Sequence, residues 1–170
     1  MTTNSNATSH AADKAPAPAQ DAIALLKADH KAVSGLFADY ENARSAVNKK
    51  AIVSEICAAL SVHAQIEEEI FYPGVKAATK DKVLIPEATV EHAGVKDLAA
   101  QLEGAEPDGE MYDAKVKVLS EYVKHHVKEE QNEMFPKVKE SSLDLDELGL
   151  RLAARKSELM SARKRMAAGT

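Results

Sequence analysis

Apolar positions recur at steps of three and four along most of the chain, the signature of amphipathic helices rather than strands. Ile23, Leu26, His30, Val33 and Phe37 form the first stripe, in a helix that opens at Asp21 and ends between Ala43 and Val47. Ile52, Ile56, Leu60, His63, Glu67 and Ile70 form the second, in a helix from Asn48, its candidate N-cap, to Ala78. Pro73 removes a backbone donor and crowds the preceding turn, so a kink or break eased by Gly74 is expected there. A third helix opens near Pro86 and turns Ala88, His92, Val95, Ala99 and Leu102 inward as far as the loop between Gly104 and Gly109. The fourth, capped by Asp108, carries Tyr112, Val116, Leu119, Tyr122 or Val123, His126 and Glu130 up to Pro136. A fifth, from Asp144 to Met166, ends in basic residues that suit a helix C-terminus and is expected to lie outside the others.

Four long helices joined by short loops predict an all-α, up-down-up-down four-helix bundle with an additional C-terminal helix. Residues 1–20 are small, polar and rich in Pro and Ala, with too little apolar surface to offset the entropy of ordering. The expected organisation is therefore a disordered tail over 1–20, in which His10 has no role, a bundle domain over 21–142 and an amphipathic helix over 143–170.

Composition agrees with helix: aromatic residues make up 4% and Trp is absent, while Ala, Lys, Glu, Leu and Val dominate. A net charge of −5 with no basic stripe interleaved with aromatics argues against nucleic acid as the partner. The one cysteine, Cys57, excludes an internal disulfide or a cysteine-based metal site within the chain, and off the polar stripe it reads as a small buried hydrophobe. Neither a signal-like apolar segment nor a membrane-length run is visible, so a cytoplasmic protein without membrane association is expected.

The candidate chemistry lies inside the apolar stripes. His-x3-Glu-x5-Pro occurs twice, as His63/Glu67/Pro73 and as His126/Glu130/Pro136. Helix positions i and i+4 lie about 40° apart on one face, so each His and Glu can address a common point. Each copy has an upstream histidine preceded by an acid, His30 in DHKAV and His92 in EHAGV. The chain thus reads as two helical hairpins related by an approximate two-fold axis, with four His and two Glu turned into one core. An ionised carboxylate buried without a partner costs several kcal/mol, and no Lys or Arg shares the inward stripe with either Glu; a cation neutralises both.

Imidazole plus carboxylate without thiolate suits Fe, Mn or Zn, and four facing helices can hold two such ions. The symmetric assignment places His30 and His63 on one ion and His92 and His126 on the other, with Glu67 and Glu130 shared. His125 competes with His126, because it also has a Glu four residues on, at Glu129. Glu68 is a candidate outer partner and Glu69 faces solvent. Asp29 and Glu91 can each accept from a histidine's second nitrogen. Tyr122, one turn before His126, is either near an open position or packed in the core.

Taken together, DH…HxxxE…EH…HxxxE, with FYP and MFP after the glutamates, resembles the hemerythrin-like proteins with an HHE cation-binding domain, over roughly residues 21–140. The resemblance implies a non-haem di-iron centre and a partner that is a small diatomic ligand or peroxide, in sensing, scavenging or iron and redox homeostasis. It also admits a di-iron enzyme turning over NO or peroxide, an iron-centre repair protein, or a metal-stabilised module that docks on an unknown protein partner. Two departures from the oxygen carriers stand out: Lys96 occupies the place of their second third-helix histidine, and the last motif is His-x3-Glu rather than His-x4-Asp. Both move the expectation away from reversible oxygen carriage.

Overall fold

The computed structural model describes residues 20–107 and 109–169; the expected N-terminal tail and the Asp108 cap lie outside the described residues. The helices are α1 (Ala22–Asn42), α2 (Ala46–Ile66), α3 (Tyr72–Thr79), α4 (Leu84–Leu102), α5 (Glu110–Glu129), α6 (Phe135–Glu140) and α7 (Leu145–Ala168). No strand occurs among the described residues. Asp21 caps α1 by accepting from the Ala24 N–H at 2.8 Å. Ser45 caps α2, and Asn48, expected to be the cap, supplies the N–H that Ser45 Oγ accepts at 3.2 Å. The expectation failed by one turn because both residues are good caps and only the backbone, extended at Ser45, distinguishes them.

Neither motif proline breaks its helix. A π-helical turn, Glu67–Phe71, joins α2 to α3, and a second, Glu130–Met134, joins α5 to α6. The Tyr72 N–H bonds to the Glu67 carbonyl and the Phe135 N–H to the Glu130 carbonyl, five residues back in each case. The prolines sit in the first turn of the following helix, where a missing donor is tolerated. The expected kink is thus replaced by a wider turn, and wide turns of this kind are concentrated at functional sites. The run from α2 through the first π turn to α3 ends at Lys80, in the left-handed region at φ 55°.

α1 packs on α2, α2 on α4, α4 on α5, and α5 closes the ring on α1, which makes an up-down-up-down four-helix bundle. α7 lies outside it against α1 and α2, burying Leu148, Gly149 and Leu152. Gly149 permits that approach: a Cβ there would lie 2.3 Å from the Gln20 carbonyl oxygen. The basic residues of α7 turn back to the bundle, with Arg155 on Glu69, Arg163 on Glu103 and Lys156 on Asp29. No helix among the described residues is long and apolar enough to cross a membrane.

Two apolar clusters fill the interior. One gathers Leu26, Ile66, Phe71, Phe135, Leu148 and Leu152, the other Phe37, Ile56, Leu60, Val95, Leu119 and Val123. Cys57 belongs to the second, fully buried, and burial pushes its thiol up to about 11. Between the clusters lies one polar layer.

Candidate metal centre

Each of the four bundle helices contributes one histidine to that layer, from the position where its apolar stripe passes the middle of the bundle. His30, His63, His92 and His126 are all buried, as are Glu67 at 0% and Glu130 at 2% exposure. The structure therefore brings together all six residues singled out by spacing. His126 turns inward while His125 is on the surface, 62% exposed.

The donor atoms converge in two groups. His30 Nε2 lies 3.2 Å from His63 Nε2, and His92 Nε2 lies 3.2 Å from His126 Nε2. Glu67 stands between the pairs, with Oε1 3.1 Å from His63 Nε2 and Oε2 3.2 Å from His92 Nε2. Glu130 leans to one side, its Oε2 3.2 Å from His30 Nε2 and 4.0 Å from His126 Nε2. A cation that takes imidazole nitrogen at 2.0–2.1 Å sets adjacent ligand atoms about 2.8–3.4 Å apart for octahedral to tetrahedral coordination. The separations of 3.1 and 3.2 Å fall in that range, and the 4.0 Å between Glu130 and His126 lies outside it.

The same groups serve poorly as a hydrogen-bond network. Glu67 Oε1 and both carboxylate oxygens of Glu130 are buried and accept no hydrogen bond from a described residue. Buried polar atoms are nearly always paired, so three orphaned oxygens in one layer beside four convergent nitrogens fit a cation. Protonation follows the same logic. Burial would lower His63, but the Glu67 carboxylate beside it, with Asp29 and Glu130, raises it to about 10. Burial and the neighbouring charge of His63 push His30 down to about 3. Burial would raise Glu67, yet His63, His126 and His92 hold it well below the usual carboxylate range; burial and the Glu67 charge push Glu130 well above it. Protons occupy part of the layer wherever a cation does not.

The outer nitrogens are held as well. Asp29 Oδ2 lies 3.4 Å from His63 Nδ1, Glu91 Oε2 2.9 Å from His126 Nδ1, and Glu68 Oε1 3.0 Å from His92 Nδ1. Lys96 Nζ donates to Glu68 Oε1 at 2.6 Å, so the residue that stands in place of a histidine supports an outer carboxylate instead. His30 Nδ1 faces the side-chain amide of Gln131 at 2.9 Å; with Nε2 free for a cation, Nδ1–H would donate to that amide's oxygen. Such partners fix imidazole orientation and leave Nε2 pointing inward.

Tyr122 does not reach the layer. It is 49% exposed and lies over Gly94, while Val123 takes the inner position. The phenol at the site is Tyr72, whose hydroxyl donates to Glu67 Oε2 at 3.2 Å and lies 3.3 Å from His92 Nε2. Burial and the Glu67 charge raise Tyr72 well above its ordinary value, so its proton stays on. In regular helix, position i+5 lies about 140° from position i, which hid Tyr72; the π turn brings i+5 back over Glu67. The repeat signals it, since FYP matches MFP and the equivalent Phe135 stacks on His30 at 6.1 Å as Tyr72 stacks on His92 at 5.5 Å. The halves are thus alike in imidazoles and unlike around them: Tyr72 and Glu68 on one side, Phe135 and Gln131 on the other.

An apolar cavity of ≈ 200 Å³ opens onto all four histidines, with Val33, Leu60, Val95, Val123 and Met160 in its walls. Lys156 and Met160 place α7 in its lining.

Comparison with known proteins agrees with this geometry. The chain is 25% identical over 156 residues to a DNA nickase of Nostoc sp., covering 91% of this chain and 43% of that protein, so it spans less than half of that relative. It is 27% identical over 143 residues to an uncharacterized protein of Mycobacterium tuberculosis, covering 82% of this chain and 87% of the relative. The crystal structure of a Mycobacterium kansasii protein containing a hemerythrin HHE cation binding domain matches with a TM-score of 0.73 at 28% identity, over 84% of this chain and 89% of that one. The sequence model of the hemerythrin HHE cation binding domain matches residues 21–138, and the chain accordingly belongs to that cation-binding family.

Proposed function

We propose that the chain is a non-haem di-iron protein that binds O2, NO or peroxide and acts in sensing, scavenging or iron and redox homeostasis. His30 and His63 would hold one ion and His92 and His126 the other, with Glu67 and Glu130 shared; Mn or Zn fits the same donors. The observation that carries this reading is the Glu67 carboxylate, wholly buried, with one oxygen toward each pair of imidazoles, and those imidazoles line an apolar cavity. Iron bound there supplies one-electron redox chemistry and coordination positions for a small ligand.

The remaining work belongs to the chain. The aliphatic cavity favours a small uncharged ligand over a charged metabolite. Asp29, Glu91, Glu68 and Gln131 hold the outer imidazole nitrogens so that the inner ones converge. The Tyr72 hydroxyl provides a buried hydrogen-bond donor beside Glu67 and His92. That phenol favours a second reading, turnover of peroxide or NO, because a buried hydroxyl whose proton stays on can hydrogen-bond negative charge that develops beside Glu67 and His92. The activity in the name of the Nostoc relative is not carried over, since more than half of that protein lies outside the alignment.

Anaerobic iron loading with metal analysis and an optical spectrum tests the reading. About two irons per chain are expected, as for carboxylate-bridged sites in bundles; less than about one refutes the di-iron centre. Stopped-flow mixing of the reduced protein with O2, NO or peroxide then separates a single stoichiometric event from repeated turnover.

A further inference from the structure

The buried layer has two approaches, and they differ in chemistry. The larger cavity is walled by aliphatic side chains and suits a neutral ligand better than a hydrated cation. The other is a crevice of ≈ 10 Å³, lined by Leu84, Ala88, Glu91, His126, Glu129, Glu130 and Met134. That volume is close to a single water. Its acidic residues, Glu91 and Glu129, are partly exposed, whereas His126 and Glu130 are buried.

At the outer end stands the second His-x3-Glu in the sequence, one residue out of register with the inward copy. His125 Nε2 lies 3.2 Å from Glu129 Oε1 and 3.2 Å from Glu91 Oε1. One donor atom from each of the three lies within 4.8 Å of the others. Glu91 faces both ways: Oε1 belongs to this trio, and Oε2 holds His126 Nδ1 at 2.9 Å. Independently, Glu130 lines the crevice at 2% exposure with both carboxylate oxygens accepting no hydrogen bond. An acidic mouth, a shared carboxylate and an orphaned buried carboxylate form a graded path for positive charge.

We propose that Glu91, His125 and Glu129 form an outer divalent-cation site that loads the buried centre through the crevice between α4 and α5. This rests on the reading of the buried layer as cation-binding. One imidazole and two carboxylates without thiolate suit Fe²⁺, Mn²⁺ or Zn²⁺. Three protein donors at the surface leave the remaining positions to water, which makes an exchangeable site, as loading requires. The converging negative charge also concentrates cations locally.

His125→Ala and Glu129→Gln alter an exposed and a half-buried side chain, and both are expected to keep the wild-type circular dichroism spectrum. Anaerobic loading of the metal-free full chain with Co²⁺, followed optically, is expected to slow about tenfold or more in either variant, with the final metal content unchanged. Raising the salt concentration should slow the wild type more than the variants. Mn²⁺ titration followed by electron paramagnetic resonance separates the outer site from the inner one. In His63→Ala/His92→Ala, where each buried imidazole pair has lost a donor, one weakly held Mn²⁺ should persist, and adding His125→Ala should remove it. An unchanged loading rate in both surface variants, or persistence of that Mn²⁺ in the triple variant, overturns the proposal. A wild-type chain that holds the outer Mn²⁺ and loads nothing inside refutes the buried centre and, with it, the loading role.

Discussion

Glu130→Met is expected to stabilise the metal-free chain and abolish its stabilisation by metal. The Glu130 side chain is 1% exposed, both of its oxygens lack a hydrogen bond, and the nearest imidazole, His30, is held neutral by burial and by the charge of His63. Leaving a buried polar group unsatisfied costs about 1–3 kcal/mol. Methionine has similar length, fills the same space and needs no partner, so the substitution recovers that cost. In a chain of this size each kcal/mol moves the melting temperature by roughly 2–4 °C, which predicts a rise of roughly 2–12 °C in chelator. Metal reverses the order: at a hundredfold excess over its dissociation constant each ion adds about 2.7 kcal/mol to the wild type, about 5 kcal/mol for two, and nothing to a variant that no longer binds. Anaerobic calorimetric melts of both proteins, with chelator and with Fe²⁺, read the crossover. A less stable metal-free variant, or one that keeps the metal-dependent increment, would show that this carboxylate is held for the fold rather than for a cation.

Three further outcomes follow from the geometry. Metal uptake at pH 7 should release at least one proton, measured by pH-stat titration, because His63 is raised to about 10 in the metal-free layer and must be deprotonated to bind, and any proton held by Glu130, which burial and the Glu67 charge push well above the usual carboxylate range, adds to it. Both raised groups make protons compete with metal, so affinity falls as pH is lowered and rises as pH climbs toward the His63 value of about 10. Tyr72→Phe should retain full iron content and slow peroxide turnover by roughly 10²–10³-fold through loss of the hydrogen bond that the phenol gives to developing charge; equal rates exclude that role. Gly149→Ala places a Cβ 2.3 Å from the Gln20 oxygen and should cost about 1–3 kcal/mol in urea unfolding by pushing α7 off α1.

Periodicity at 3.6 residues per turn locates an inward face only while the helix stays regular, and both proline motifs follow π turns. Phe71 and Tyr72 are therefore buried beside Ile70, which packs half-buried against the same core, and Tyr72 stands at the polar layer. Tyr122 lies in regular helix, where Val123 takes the inward position instead. Gln131, Lys96 and Lys156 are far in sequence from the residues they support, at His30, Glu68 and Asp29, so no local spacing reveals them.

What local spacing does carry is considerable: helix type and order, the inward histidines and glutamates, the internal two-fold repeat and the exclusion of thiolate chemistry all depend on residues within a turn or two of one another. The choice between His125 and His126, the division of the Glu67 oxygens between two imidazole pairs, the unlike surroundings of the halves, the docking of α7 and the two approaches to the centre depend on contacts between helices. A helix determines which of its residues share a face; only the neighbour packed against that face decides which atoms meet.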